Sequence, residues 1–188
     1  MKTSRTPRGR DSLRSQIALF LPGFVALMVT AIACGDPTHD NAVDALGSDP
    51  TGMPNGPTHR AGQPCLTCHG GSGPASAQFT VGGTAYAVKG HGDPLVNGTV
   101  HLLDAADAGF DMPTNSVGNF FATTAEWQPV APIHVRLTLD NAEADMISHV
   151  GRDGSCADCH TPTIGPRSPG PVYLAVDQGD LPGADGGP

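Results

Sequence analysis

Four of the chain's five cysteines lie in two copies of one short motif. The copies are Cys65-Leu66-Thr67-Cys68-His69 and Cys156-Ala157-Asp158-Cys159-His160. In each copy the cysteines are three residues apart, so one turn of helix places both thiols on the same face. Both thiols can then bond to the two vinyl groups of one porphyrin, and the following histidine can bind the iron. Because C-x-x-C-H is the attachment signature of a c-type haem, the sequence predicts two covalently bound haems c.

Other uses of paired cysteines remain open at this point. A four-cysteine zinc site usually has its two pairs about 15–20 residues apart, whereas Cys65 and Cys156 are 91 residues apart. A fold can still join them, and disulfides or a thiol-exchange motif would also use C-x-x-C. None of these alternatives requires a histidine after the second cysteine, so haem attachment is the preferred interpretation. It assigns thioether bonds to Cys65, Cys68, Cys156 and Cys159, and proximal iron ligation to His69 and His160.

The sixth iron ligand decides whether each haem is a closed carrier or an open reaction site. His59 lies six residues before Cys65, and the intervening glycine and proline can turn the chain back over the ring. No methionine or histidine follows the second motif, so its ligand is expected upstream, with Met146 preferred to His149. Methionine ligation raises the redox potential, so the two haems are expected to titrate separately. Four residues between the motifs are further candidates: His91, His101, His134 and Met112.

The amino terminus has the pattern of an export signal. Met1 to Arg14 contains five of the ten basic residues, and the uncharged run Ile17 to Ala33 follows it. A basic region followed by an apolar region is typical of a secretory signal, and residues 1–33 are therefore predicted to be one. Export agrees with the haem prediction, because c-type haem is attached outside the cytoplasmic membrane in the bacterial systems that this chain resembles.

The end of this signal predicts a lipid anchor. Ala31-Ile32-Ala33-Cys34 resembles a bacterial lipoprotein signal, in which cleavage precedes a cysteine that becomes lipidated, although leucine is commoner at the position of Ala31. Cys34 is also the one cysteine outside the two motifs. An uncleaved anchor or ordinary cleavage nearby are the alternatives. Several acyl chains would hold the protein stably on a membrane, and Gly35 in place of aspartate favours the outer membrane, on its periplasmic or cell-surface side.

The charge of the exported part excludes one class of partner. Residues 34–188 contain five basic and 17 acidic residues, a net charge of −12. Such a surface argues against nucleic-acid binding, which needs basic patches that neutralise phosphates. It suits docking to a basic redox partner protein of the cell envelope, although solubility alone also explains it.

Composition divides the exported chain into three parts. Residues 34–58 are rich in Asp, Pro, Gly, Thr and Asn and are predicted to be a flexible tether behind the lipidated cysteine. Residues 59–160 contain both motifs and are the predicted folded domain. Residues 161–188 are rich in proline and glycine and are predicted to be a disordered tail, in which only residues 172–176 have a strand-like pattern.

The stretch between the motifs has the pattern of short strands. Strands are predicted over Phe79–Val88, Thr99–Leu103 and Ile133–Leu139, where β-branched and apolar residues recur or alternate with polar ones. A turn at Asn115–Asn119 leads into a further strand, Phe120–Ala122. Short strands at this spacing without a long helical pattern indicate a mainly β fold, a small antiparallel β-sandwich flanked by the two haem-attachment segments.

The same stretch resembles a carboxypeptidase regulatory-like or transthyretin-like β-sandwich. The features that carry the resemblance occur in the order found in that family: Gly83-Thr84, Asn97-Gly98, Val100-His101-Leu102 and Thr114-Asn115-Ser116-Val117-Gly118-Asn119-Phe120. Such domains are mostly scaffolds, so the resemblance implies no catalytic residues. The placement of a C-x-x-C-H motif on each side looks like cytochrome-type lipoproteins of the δ-proteobacterial, myxobacterial kind.

The predicted function is electron transfer by a membrane-tethered dihaem c-type cytochrome of the cell envelope, not enzymatic catalysis. A peroxide or other small-molecule reductase is an alternative, and it would need an open iron position with acid–base groups beside it. A haem-bearing cell-surface module, in which the sandwich binds a partner, is the other alternative.

Overall fold

A computed structural model of the chain describes residues 36–49, 52–90, 92–175 and residue 177. The predicted export signal, Cys34 and His91 lie outside the described residues. The chain divides into two compact units, Met1–Asp40 and Asn41–Pro188, and the second contains both motifs and all the strands given below. Among the described residues, no helix combines the length and the apolar character needed to cross a membrane.

The described residues form seven strands and three short helices. In chain order they are α1 (Pro37–Ala45), α2 (Cys65–His69), β1 (Phe79–Val88), β2 (Thr99–Leu103), β3 (Gly109–Pro113), β4 (Asn119–Thr123), β5 (His134–Leu139), β6 (Ala142–Asp145), α3 (Cys156–Cys159) and β7 (Val172–Ala175).

The strands form two sheets. One has the order β4-β1-β7 and the other β3-β2-β5-β6. Four of the five strand pairs are antiparallel, as predicted, but β7 runs parallel to β1, with Ala85 opposite Val172. The prediction of a purely antiparallel fold is wrong for this pair, because β7 returns to the edge of β1 through a long connection and not through a hairpin.

Apolar side chains from both sheets pack into one core. Val81, Ala85 and Phe120 of the first sheet and Val100 and Leu102 of the second are at most 2% exposed and belong to a single cluster. Burial of these side chains is the main stabilising term for so small a fold. The predicted mainly β architecture is thus confirmed, with two sheets in an arrangement compatible with a sandwich.

The sequence predicted β1 and β2 with their observed bounds, and β4 and β5 within a residue or two at each end. It missed β3 and β6. β3 begins with glycine and ends with proline, and β6 is Ala-Glu-Ala-Asp, which has low strand propensity. Both strands form because they pair with neighbours: Met112 lies opposite Val100, and Arg136 of β5 makes ion pairs with Glu143 and Asp145.

Two ordered elements lie in the segments predicted as tether and tail. Asp36 caps α1 by accepting hydrogen bonds from the amides of Thr38 and His39, with Pro37 at the first helical position, where proline is favoured. No residue of α1 is buried. Past the predicted domain end at His160, β7 joins the first sheet, and Leu174 packs in the core.

The segment leading into α3 pairs with β1 at residues that come before those paired with β7. The Gly82 amide donates to the Gly154 carbonyl (3.0 Å), and Gly82 forms a parallel bridge with Ser155. A Cβ atom on Gly154 would lie 2.0 Å from the Thr80 carbonyl oxygen, a distance that no side chain tolerates. Glycine is therefore required for the second motif to start against β1.

We expect Gly154→Ala to lower the free energy of unfolding by about 1–3 kcal/mol, the usual range for overpacking. Urea unfolding followed by circular dichroism measures this loss. Gly151→Ala is the matched control, because a Cβ atom there meets nothing within 4 Å. Equal stability of the two variants would contradict the close approach of Gly154 to β1.

Candidate functional site

The first motif forms a one-turn helix beside a cavity. In α2 the two cysteines are separated by one turn, as their spacing predicts, and Gly70 ends the helix by donating its amide to the Leu66 carbonyl. Cys65, Cys68 and His69 all line one cavity of about 570 Å³. Its volume lies within the range of about 300–1,000 Å³ that is ordinary for cofactor and ligand sites.

The walls of this cavity combine apolar surfaces with a few polar groups. Apolar atoms come from Phe79, Phe121 and Leu46, and polar side chains from His59, Arg60 and Gln63. The Arg60 guanidinium donates to the Gln63 side chain (2.7 Å) and to the Gly47 carbonyl. A mostly apolar cavity with one cation, two thiols and two imidazoles has the donor set that a covalently attached haem requires.

His69 is held in one tautomer and one orientation. Its Nδ1 lies 2.8 Å from the Ala77 carbonyl oxygen, and since a carbonyl only accepts, Nδ1 carries the proton. Nε2 of the neutral ring then has a free lone pair, as an iron ligand needs. The ring stacks parallel on Phe79 with centroids 4.0 Å apart, and Phe79 stacks on Phe121 at 4.6 Å.

The second histidine repeats this arrangement. His160 follows α3, and its amide donates to the Cys156 carbonyl (2.8 Å). Its Nδ1 lies 2.9 Å from the Gly170 carbonyl oxygen, so the same nitrogen is protonated and Nε2 is again available. Both predicted proximal ligands therefore have the hydrogen bond that orients metal-binding histidines.

Two adjacent glycines of β1 contact the first cysteine of each motif. A Cβ atom on Gly82 would lie 3.1 Å from Cβ of Cys65, and one on Gly83 would lie 2.8 Å from Cβ of Cys156. Successive strand residues face opposite sides of a sheet. The two motifs therefore approach neighbouring positions of one strand, where a Cβ atom would collide with Cys156 at Gly83 and be crowded by Cys65 at Gly82. A glycine pair inside a strand signals such a close approach in the sequence.

Burial makes the thiols of Cys65 and Cys156 poor nucleophiles. Desolvation raises the pKa of the Cys65 thiol to about 11 and that of the Cys156 thiol to about 12. The negative charge of a Cys65 thiolate raises the pKa of Cys156 further, because the two groups are close. Cys159, in contrast, is exposed.

The second motif differs from the first in its surroundings. The cavity beside Cys156 and His160 measures only about 50 Å³ and is lined by Thr84, Tyr86 and Val172 among others. Asp158, inside the motif, has its carboxyl pKa raised to about 6 by desolvation and by the neighbouring Asp153. Cys156, Cys159 and His160 would hold a porphyrin at this motif, but the cavity beside Cys156 and His160 is too small to enclose one.

Of the three preferred candidates for distal iron ligand, His59, Met146 and His149, the structure places His59 beside the motif to which it was assigned. His59 lines the first cavity, with its ring centroid 5.7 Å from that of His69. Its Nδ1 contacts the Gly56 carbonyl, which leaves Nε2 free as in the proximal histidines. The structure thus places the His59 ring beside His69 in the first cavity, and His59 as the sixth ligand of the first haem stays a prediction.

The candidates for the second haem lie elsewhere. The Met146 amide donates to the Val135 carbonyl (2.9 Å), which continues the pairing of β5 with β6. The His149 ring packs edge-on against His134 at 4.2 Å. Neither Met146 nor His149 is among the described residues that line the cavity beside Cys156, and the choice between them stays a prediction.

The remaining candidates have partners in the sheets. His101 lies between the Asp111 carboxylate (2.7 Å) and the Thr138 hydroxyl (2.8 Å) on the surface of the second sheet. Met112 is 2% exposed and is part of the core.

Sequence reasoning missed the residues that hold the loop carrying His59. Thr84 and Asn119 are buried, and both make hydrogen bonds to the backbone of that loop. In the sequence Asn119 has the pattern of a turn residue before a strand, and no local signal pairs it with a segment 60 residues earlier.

No protein-family model, curated protein or solved structure matches the chain. The resemblance to carboxypeptidase regulatory-like domains and to cytochrome lipoproteins therefore stays a prediction.

We expect the haem-free chain to show strongly unequal thiol reactivity. At pH 8 iodoacetamide should alkylate exposed Cys159 first and Cys156 last, because the thiolate fraction falls about tenfold for each unit by which the pKa rises. Between pH 8 and pH 10 the rates at Cys65 and Cys156 should rise about 100-fold, since both pKa values lie above that range. Peptide mass spectrometry after timed alkylation measures this order.

The control is the same reaction in urea, where the thiols of the four motif cysteines should react at similar rates. Equal rates in the folded chain would contradict the burial of Cys65 and Cys156 against β1.

Proposed function

We propose that this protein is a dihaem c-type cytochrome that transfers electrons in the cell envelope, tethered to a membrane through lipidated Cys34. The main support is the shared state of His69 and His160. Each follows a C-x-x-C pair, and each has Nδ1 on a main-chain carbonyl, at 2.8 and 2.9 Å, so that Nε2 is free. Zinc-binding cysteine pairs and disulfides would require neither histidine, whereas haem iron needs both.

The residues at the first motif fit a haem. Cys65 and Cys68 would form the thioethers, His69 would be the proximal ligand and His59 the distal one. The apolar faces of Phe79 and Phe121 would exclude water from one side of the group. At the second motif Cys156, Cys159 and His160 have the equivalent roles. Bound haem would supply an iron centre that accepts and donates single electrons.

A carrier is favoured over an enzyme by the two histidines that line the first cavity. An iron held between two imidazoles has no open position for a substrate, so it exchanges electrons without binding a reactant. The attachment of both motifs to adjacent residues of β1 would also keep the two haems near each other. Reductase activity would instead need an open iron beside an acid–base group.

The two sheets would serve as a scaffold for the haems. We propose that they form a carboxypeptidase regulatory-like β-sandwich whose first sheet positions both motifs through β1. The acidic exported chain, with a net charge of −12, would dock with a basic redox partner of the envelope. The lipid on Cys34 would hold the protein at the outer membrane.

Purified protein is expected to contain two covalent haems, measured by the pyridine haemochrome spectrum and by intact mass. Cys65→Ser/Cys68→Ser and Cys156→Ser/Cys159→Ser should each retain one haem, because each motif binds its own porphyrin. A protein with stoichiometric zinc and no haem absorbance would disprove the cytochrome assignment. Rapid turnover of hydrogen peroxide by the dihaem protein would favour the reductase.

A second prediction concerns Met146 as the distal ligand of the second haem. Methionine ligation produces a sulfur-to-iron charge-transfer band near the red end of the oxidised spectrum. The band should be lost in Met146→Ala and retained in His149→Ala, and the higher of two separate redox potentials should fall with it. If wild-type protein lacks the band, ligation by two histidines through His149 is the better assignment.

A further inference from the structure

The loop that carries His59 is tied to the first sheet by three polar side chains, Thr84, Asn115 and Asn119, called here the loop clamp. The Asn119 amide nitrogen donates to the carbonyls of Pro57 (3.2 Å) and His59 (3.0 Å). Asn115 donates a further bond to the Pro57 carbonyl (2.7 Å). At the other end of the loop, the Gly62 amide donates to the Thr84 hydroxyl (2.7 Å).

The clamp is a closed network. The Thr84 hydroxyl donates to Oδ1 of Asn119 (2.7 Å), so it accepts from the loop and donates to the asparagine at once. Together with the two bonds to carbonyls, this bond sets the orientation of the Asn119 amide. The opposite orientation would place the amide oxygen against the carbonyl oxygens of Pro57 and His59. Thr84 is 6% and Asn119 is 7% exposed, and buried polar groups at these positions need all of these partners.

The clamp acts on the backbone next to the ring, not on the ring itself. The carbonyl of His59 is one of the groups that Asn119 binds, and the His59 ring contacts the carbonyl of Gly56, the residue just before the loop of residues 57–62. Gly62 has φ +80°, and a Cβ atom there would lie 2.7 Å from the Tyr86 hydroxyl. The loop therefore passes directly over β1, where the clamp holds it.

We propose that Asn119 and Thr84 are positioning residues for the distal iron ligand: through the loop clamp they hold the His59 ring opposite His69. This inference rests on the proposed haem ligation. Residues 57–62 form no helix or strand, so without the clamp the loop would sample conformations in which His59 leaves the cavity. Holding the ligand before binding reduces the entropy lost on ligation, which keeps the first haem in its closed, low-spin state.

The test uses the full dihaem protein and compares clamp variants with a control outside the clamp. The clamp variants are Asn119→Ala and Thr84→Val. Thr114→Val is the control, because its hydroxyl is also buried and bonded to main chain, at Gly98, and makes no hydrogen bond to the described residues of the loop. His59→Ala defines the spectrum of the first haem without its distal ligand.

In the clamp variants we expect part of the low-spin to high-spin change seen in His59→Ala, by absorption and electron paramagnetic resonance. Cyanide binding to the ferric first haem should be about tenfold faster than in wild type, since the loss of such hydrogen bonds raises the open population by about that factor. Added imidazole should restore the low-spin spectrum, and Thr84→Ser, which keeps the hydroxyl, should match wild type. Thr114→Val should match wild type in both measurements.

If His59→Ala changes the spectrum but the clamp variants behave like Thr114→Val, the positioning role is disproved and the ligation by His59 remains. If His59→Ala leaves the spectrum unchanged, the proposed ligation fails, and the inference fails with it.

Hydrogen exchange gives a second readout that does not depend on the iron. Peptides covering residues 57–62 should exchange faster in Asn119→Ala and Thr84→Val and at the wild-type rate in Thr114→Val. Exchange of this segment at the wild-type rate in both clamp variants would also overturn the inference.

Discussion

Close packing against one pair of glycines in β1 is the constraint on which both candidate sites depend. Cys65 packs against Gly82, and Cys156 packs against Gly83. A Cβ atom on Gly83 would collide with Cys156, and a Cβ atom on Gly82 would be crowded by Cys65. Since neighbouring residues of a strand are about 3.8 Å apart along the chain, two segments 91 residues apart in sequence begin at almost the same place. β4, β7 and the segment around Gly154 cover the edges of β1 and hold this strand in the sheet.

His69 and His160 both have Nδ1 bonded to a main-chain carbonyl, and the two carbonyls come from different parts of the fold. His69 bonds to Ala77, just before β1, and His160 bonds to Gly170, just before β7. In both cases the acceptor lies in the chain between the motif helix and the next strand of the first sheet. The strand that follows each motif thus determines where the carbonyl lies, and the carbonyl determines which imidazole nitrogen is free for a metal.

Two buried polar side chains, Thr84 and Asn119, connect segments that are distant in sequence. Thr84 and Asn119 join β1 and β4 to the loop of residues 57–62, and every polar atom of the Asn119 side chain has a partner. Networks of this kind specify one arrangement, because losing one partner leaves the others unsatisfied in a low-dielectric interior. The buried thiols of Cys65 and Cys156, by contrast, are stable in the protonated form that burial favours.

The sequence by itself determined the elements whose cause is local. The motif helices agree with the spacing of their cysteines, and β1, β2 and β5 follow from runs of β-branched and apolar residues, which alternate with polar ones in β5. Only the tertiary structure decided what these elements meet: β3 and β6 exist because they pair with neighbours, and β7 adds a parallel strand from a proline-rich segment. Proximity of His59 to Cys65 was visible in the sequence, but the hydrogen bond from Asn119, 60 residues away, to the His59 carbonyl was not. Contacts at such separations are set by packing and hydrogen-bond satisfaction across the whole fold, which no local pattern of residues encodes.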